Sequence, residues 1–392
     1  MDFGDTQAEA TWRGEVRTFL QTEYPGVSEN GSVEGGLFDR GERMKEWRRR
    51  VAARGWVAPA WPTEYGGAGL GVKEQFIMNE EFAEFGAPQV GGFGVMMFGP
   101  TLIVHGTDEQ KREHLPGILS GEALWCQGWS EPGAGSDVAS LQTRAVKDGD
   151  DYILNGQKIW TTGAQYADWM YMLARTDPDA PKHRGISYLL VDMKAPGVSV
   201  QPLTTMAGAQ SFNQVFFENV RVPVRNRLGE ENRGWYIGTT TLDFERSSIG
   251  SAVGIRKQLE GYRKYATANP SHVTFASRPS VRTEFADRWI EAAVAKFLSY
   301  RVVTMQARGE IPNYEASMTK LYASELGQRI AALGMHMLGM SGQVLERKGP
   351  HARLGGRIGY GYVGAVSSTI AGGTSEIQRN IIAQRGLGLP RD

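Results

Sequence analysis

Cysteine is almost missing from this chain, with Cys126 the single one among 392 residues. That excludes an intrachain disulfide and fits a reducing compartment, Cys126 itself reading as a small buried hydrophobe. Neither sign of charge is in excess, since Lys+Arg and Asp+Glu both number 43. That balance gives no support to a nucleic-acid or membrane-surface role, where a basic face is expected. No apolar stretch is long enough to span a bilayer. Met1-Asp2-Phe3-Gly4-Asp5 has neither the basic region nor the apolar core of a signal peptide, so the expectation is a soluble, cytoplasmic protein. The 6 histidines are scattered without ligand spacing, which predicts no metal site. Internal repeats and low-complexity segments are lacking too.

Glycine is abundant, at 50 residues, and the hydrophobic share of 41% supports a packed core with many close backbone approaches. The length suffices for two or three domains. Residues 8–124 carry helical spacing, with Trp12, Val16, Phe19 and Leu20 recurring, then Trp47, Val51 and Ala52. Proline and glycine clusters at 59–71 and 86–94 divide these helices. From Cys126 to about Leu228 short β-rich runs take over, at 152–154, 158–161, 169–174, 186–191 and 214–217. Asn155-Gly156 between two of them predicts a hairpin turn and an antiparallel barrel or sandwich. Helix returns after Trp235. Leu242, Ile249, Val253 and Ile255 share one face, and Phe285, Ile290, Ala293 and Phe297 form a second stripe. The domains expected are an N-terminal helical domain over 1–125, a middle β domain over 126–233 and a C-terminal helical bundle over 234–392. Gly359-Tyr360-Gly361-Tyr362-Val363-Gly364 matches the dinucleotide fingerprint, but it lies in a helical region and not between a strand and a helix.

Chemistry concentrates in Ser130-Glu131-Pro132-Gly133-Ala134-Gly135-Ser136-Asp137, followed by Ile159-Trp160-Thr161-Thr162-Gly163. The first run puts hydroxyls and small residues into one loop, where backbone N–H groups can crowd against an electron-rich heterocycle. The second offers an indole face and two more hydroxyls. A flavin needs donors at N5 and at the N1/C2-carbonyl edge, and an apolar wall against water. A plain β-turn and a hairpin strand with a core tryptophan would account for either half alone.

The pair resembles the flavin-binding signatures of the acyl-CoA dehydrogenases, T/S-E-P-x-A-G-S-D and W-I/T-T/S. The likeness runs nearly end to end, taking in His105-Gly106-Thr107-Asp108-Glu109-Gln110-Lys111 and Gly373-Thr374-Ser375-Glu376-Ile377-Gln378-Arg379. The fold it implies is mainly α with a central β-barrel domain and a C-terminal four-helix bundle. It implies FAD as cofactor, an acyl-CoA substrate and an electron-transfer flavoprotein or similar acceptor. Ser130 would donate to the flavin ring, Thr162 would approach N5 and Trp160 would cover the ring. Trp129, Ser136, Thr374 and Glu376 fall on further cofactor positions.

Removing an α-proton while a β-hydride leaves requires a partly desolvated base on one face of the Cα–Cβ bond and flavin N5 on the other. Most relatives resembling this chain carry the base in Y-E-G-T, where this sequence has Ala371-Gly372-Gly373-Thr374. Gly372 accepts no proton, although its N–H can still polarise the thioester carbonyl. The isovaleryl-CoA enzymes carry the base in L-D-L-E-R, which is similar to Leu242-Asp243-Phe244-Glu245-Arg246. The resemblance therefore implies Glu245 as the catalytic base, with Ser136, Asp243, Arg246, Gly372 and Gly373 toward the substrate. A surface glutamate paired with a neighbouring arginine is the plain alternative.

Two motifs that hold the adenine half of a neighbour's flavin in homotetrameric relatives depart from the pattern. R-x-x-F-G has become Asn269-Pro270-Ser271-His272-Val273-Thr274-Phe275-Ala276, without arginine, and Q-x-x-G-G-x-G has become His336-Met337-Leu338-Gly339-Met340-Ser341-Gly342. Pyrophosphate favours an arginine fork and unobstructed amides. The expectation is either a homotetramer or an α2β2 heterotetramer with a homologous subunit, similar to the acyl-CoA dehydrogenases of steroid side chains. An acyl-CoA oxidase, a flavin monooxygenase and a supporting subunit are the other readings.

Overall fold

The computed structural model describes residues 4–26, 41–245 and 250–390, with the side chains of 243–245 and 250–251 outside that description. Helices α1 (Gln7–Glu23), α2 (Glu42–Ala53), α3 (Val72–Phe85), α4 (Gly99–His105) and α5 (Asp108–Ser120) come first. Strands β1 (Trp125–Gly128), β2 (Arg144–Asp148), β3 (Asp151–Thr162), β4 (Trp169–Arg175), β5 (Ile186–Asp192), β6 (Val198–Leu203), β7 (Phe212–Pro223) and β8 (Arg227–Leu228) follow. Helices α6 (Gly234–Glu245), α7 (Gly250–Ala268), α8 (Pro279–Ala307), α9 (Tyr314–Leu338), α10 (Arg357–Ala365) and α11 (Ser375–Ile381) complete the order. Two compact units result, one of Met1–Arg13, Val72–Gly86 and Ser247–Asp392, the other of Gly14–Gly71 and Ala87–Arg246.

The sheet lies in the second unit and runs β6-β7-β3-β2-β4-β5-β8, with β1 parallel beside β4. The expected β domain is present as an open path: among the described residues no pairing joins β6 to β8, so the sheet does not close into a barrel. Strands β4 and β5 are buried on both faces, which is why they read as continuous apolar runs rather than alternating ones. On one side Tyr171 of β4 stacks on Phe98 at 5.5 Å, and Tyr188 of β5 meets the Thr241 hydroxyl of α6 at 3.4 Å. Cys126 is fully buried in the sheet core, and burial raises its thiol pKa well above the ordinary range.

The hairpin turn expected at Asn155-Gly156 is elsewhere. Asp148 pairs with Asp151, so Gly149 and Asp150 make the β2–β3 turn, Gly149 in a left-handed conformation with φ 61°. Asn155-Gly156 instead marks an irregularity inside β3, where the pairing with β7 shifts register. A Cβ on Gly156 would stand 2.7 Å from Thr143 Oγ1, so glycine there serves close approach and not a turn.

In the first unit α7, α8, α9 and α10 share one core through Leu259, Tyr262, Ala295, Ile330, Leu333 and Ile358. The helix expected around Phe285 to Phe297 forms, but its apolar stripe divides: Phe285 packs on the helical core, whereas Ile290 and Phe297 are 64% and 50% exposed. The face packed inward is lined by small residues, Ala292, Ala295 and Ser299. The dinucleotide-like glycines lie within α10, as expected.

Candidate active site

The loop after β1 is tied down residue by residue. Ser130 is half-buried, and its carbonyl accepts from Ile159 N at 2.9 Å. Glu131 and Ala134 exchange backbone hydrogen bonds at 3.1 and 3.0 Å, closing the turn. Ser136 and Asp137 are exposed at its far end. The Asp137 carboxylate pairs with Lys182 and accepts from Ser140 Oγ at 2.5 Å, and these contacts, Lys182 foremost, hold its pKa below the usual range.

Trp160 is no core tryptophan. The pairing of β3 with β7 slips between Lys158 and Thr161, and Trp160 adopts a left-handed backbone, φ 60°, with 58% of its surface exposed. A bulky residue in that region is a strained outlier, of the kind that clusters at ligand sites. Thr162 beside it is half-buried. The hydroxyl of Thr161 and the indole N–H of Trp129 are buried without a hydrogen-bond partner. Orphaned polar atoms at both motifs, with an exposed indole and the Ser130 hydroxyl, suit a planar polar ring such as a flavin.

Helix α6 lies over this loop. A Cβ on Gly238 would meet the Trp129 ring at 3.4 Å, so glycine allows the close contact. Thr241 Oγ1 lies 3.0 Å from Thr101 Oγ1, and Thr240 Oγ1 lies 3.0 Å from His105 Nε2, which fix the helix against α4. Position 245 ends α6 two turns beyond Gly238 and on the same face, by the helical repeat. The side chains of Asp243 and Glu245 are outside the described residues, as is Arg246 altogether.

In the other unit Gly372 and Gly373 are both left-handed, with φ 64° and 83°. Gln378 Nε2 donates to the Gly372 carbonyl at 3.0 Å, and Lys320 Nζ to the Gly373 carbonyl at 2.6 Å. Thr374 caps α11, its hydroxyl accepting from Ile377 N at 3.2 Å. Glu376 is exposed, and its pKa is lowered by its own backbone N–H and the Thr374 hydroxyl. Thr374 and Glu376 line a cavity of about 440 Å³ together with Gln328, Arg329, Ser375 and Arg379.

Of the two altered motifs, His336 Nδ1 is bound to Glu284 at 2.9 Å and Met340 is 78% exposed. Around His272 the sequence shows no arginine, yet Arg353 Nη1 lies 2.6 Å from His272 Nε2. Sequence reading missed this residue because it comes from a loop far along the chain. It also missed Lys158, fully buried against Glu131. The signal was its inward parity with Tyr152 and Leu154 on β3.

Family models described as the N-terminal, middle and C-terminal domains of acyl-CoA dehydrogenase match residues 6–122, 126–220 and 232–387. The acyl-CoA dehydrogenase FadE26 of Mycobacterium tuberculosis (strain ATCC 25618 / H37Rv) is 38% identical over 396 residues, covering 98% of each chain. A solved structure described as the Tcur3481-Tcur3483 steroid ACAD superimposes with a TM-score of 0.86 at 34% identity over 100% of both chains. The ChsE4-ChsE5 complex from Mycobacterium tuberculosis does so with 0.85 at 36%, again over 100% of both. Similarity of this extent, over the loop that anchors Ser130 and the bulge that exposes Trp160, leads to one conclusion: the chain belongs to the acyl-CoA dehydrogenase family, flavin-dependent oxidoreductases acting on acyl-CoA.

Proposed function

We propose that this chain converts an acyl-CoA thioester to its trans-2-enoyl-CoA, with Glu245 as the base, in an assembly where a homologous subunit holds the adenine half of an FAD. The observation that carries the reading is the indole of Trp160, held exposed on a strained bulge beside Ser130 and Thr162. FAD when bound supplies the acceptor for the β-hydride. The chain's own groups do the rest. Ser130 and Thr162 donate hydrogen bonds to the ring, and Trp160 keeps water from it. Gly372 N–H polarises the thioester carbonyl, which acidifies the α-proton, and that proton passes to a carboxylate oxygen of Glu245.

The substrate class favoured is a steroid-derived acyl-CoA, supported by the description of the Tcur3481-Tcur3483 structure as a steroid ACAD. The two-protein names of that structure and of the ChsE4-ChsE5 complex support a heteromer here as well. So does the stripe of Ile290, Val294 and Phe297 on α8, exposed at 64%, 40% and 50%, a face suited to burial in an interface. The test is anaerobic addition of short, branched and steroid-derived acyl-CoAs to the purified assembly, followed by admission of air or of an electron-carrier protein. Bleaching of the flavin with one enoyl-CoA formed per flavin, reversed by the carrier, is expected. Reoxidation by air at the turnover rate would favour an oxidase, and no bleaching with any thioester would overturn the reading.

Trp160→Ala separates the ring-covering role from packing. Since the side chain is 58% exposed, folding stability should stay within about 1 kcal/mol in urea unfolding. Loss of an aromatic contact of about 1.5 kcal/mol should weaken flavin binding roughly tenfold, read by flavin fluorescence.

A further inference from the structure

Lys158 is fully buried on β3 and Glu131 is 7% exposed in the loop after β1. Lys158 Nζ donates to Glu131 Oε1 at 2.7 Å and to the Trp129 carbonyl at 3.3 Å. The same carboxylate accepts from Thr143 N at 3.0 Å and from Gln142 N at 2.6 Å. Burial opposes the charge on Glu131, but Lys158 and these donors outweigh it and hold the carboxyl below its usual pKa. Burial pushes the pKa of the Lys158 ammonium down, and the Glu131 carboxylate opposes that shift.

A pair this deep is a poor stabiliser, because removing two charges from water offsets most of their attraction. What it supplies is direction. Apolar contacts tolerate sliding, whereas an ammonium held by one carboxylate oxygen and one carbonyl permits a single register. Lys158 is followed by Ile159, whose N–H holds the Ser130 carbonyl, and then by Trp160. Glu131 follows Ser130 directly.

We infer that Lys158 and Glu131 are positioning residues that lock the Ser130 loop to the Trp160 bulge and set the spacing of the ring-binding groups. This rests on the reading that Ser130, Trp160 and Thr162 hold a flavin. Neither residue touches the ring in this assignment. Each acts through its neighbour.

The experiment is the double variant Lys158→Met/Glu131→Gln in the flavin-containing assembly as purified. It removes both charges, so no lone buried ion is left to unfold the domain. The expected result is a modestly lowered melting temperature, because the single carbonyl oxygen of glutamine can accept from only one of the Thr143 and Gln142 amides, together with flavin binding weakened tenfold or more and an altered shape of the flavin's visible absorption bands. Turnover should fall roughly 100-fold, the cost of a misplacement of about 1 Å. Wild-type flavin affinity and band shape in the double variant would overturn the inference, as would failure of that variant to fold, which would make the pair structural. If the wild-type assembly itself carries no flavin, the functional reading fails instead.

Discussion

Glu245→Gln is expected to lower flavin reduction by substrate about 10²- to 10⁴-fold while leaving the flavin bound, since that is the range a positioned base contributes. Glutamine keeps the size and polarity of the side chain but has no basic oxygen to take the α-proton. Anaerobic stopped-flow absorbance reads the loss, and the flavin-to-protein ratio shows that the cofactor is retained. Full activity in the variant would remove Glu245 from the mechanism. Adding Gly372→Glu to this variant tests the alternative base position. It should not restore activity, because φ at 372 is 64° and a non-glycine residue there costs roughly 1–2 kcal/mol of strain. A glutamate at 372 would also have to keep the carbonyl that Gln378 holds at 3.0 Å. The earlier helix is the better platform, since hydroxyl contacts of Thr240 and Thr241 fix α6 against α4.

The second large effect concerns assembly. Purified without a partner, the chain is expected to carry well under one FAD and to turn over poorly, while co-expression with a homologous subunit restores both. Two elements that would grip a neighbour's pyrophosphate are altered, and His336 is already committed to Glu284. Charge-assisted hydrogen bonds contribute about 1.5–3 kcal/mol each, so losing two of them weakens binding by roughly 10²- to 10⁴-fold. Flavin content by absorbance and oligomeric mass by light scattering decide the matter. Stoichiometric FAD and full turnover in a homo-oligomer would refute the need for a partner. In that event Arg353, which lies 2.6 Å from His272 Nε2, is the first candidate to replace the missing fork, and retention of flavin in Arg353→Ala would remove it.

Local patterns carried much of this fold, because burial follows periodicity. Val16, Phe19 and Leu20 are buried on α1 as their spacing requires, and β4 and β5 are the unbroken apolar runs. The pattern failed where one rule served two geometries. Asn-Gly suits a turn, but at 155–156 it absorbs a register shift, and the true turn is the polar pair Gly149 and Asp150. Part of the stripe on α8, Ile290 and Phe297, has core composition yet is exposed, since hydrophobic spacing specifies a face but not what covers it.

Family membership was legible in the sequence alone, as were the candidate flavin motifs, the glycine at 372 and the carboxylate at 245 that we propose as the base, because they depend on which residues are present and in what order. Tertiary structure decided how those residues stand. Trp160 could have been core or ring cover until a register slip in β3 turned it outward, and Lys158 was no more than the start of a β-rich run until a loop 27 residues earlier brought Glu131 to it. The absence of a side chain at 372 is legible in sequence, but only the structure shows the left-handed backbone on which a glutamate placed there would be strained. The physical reason is common to all three: strain, burial and ion pairing depend on segments far apart in the chain, whose approach no local pattern encodes.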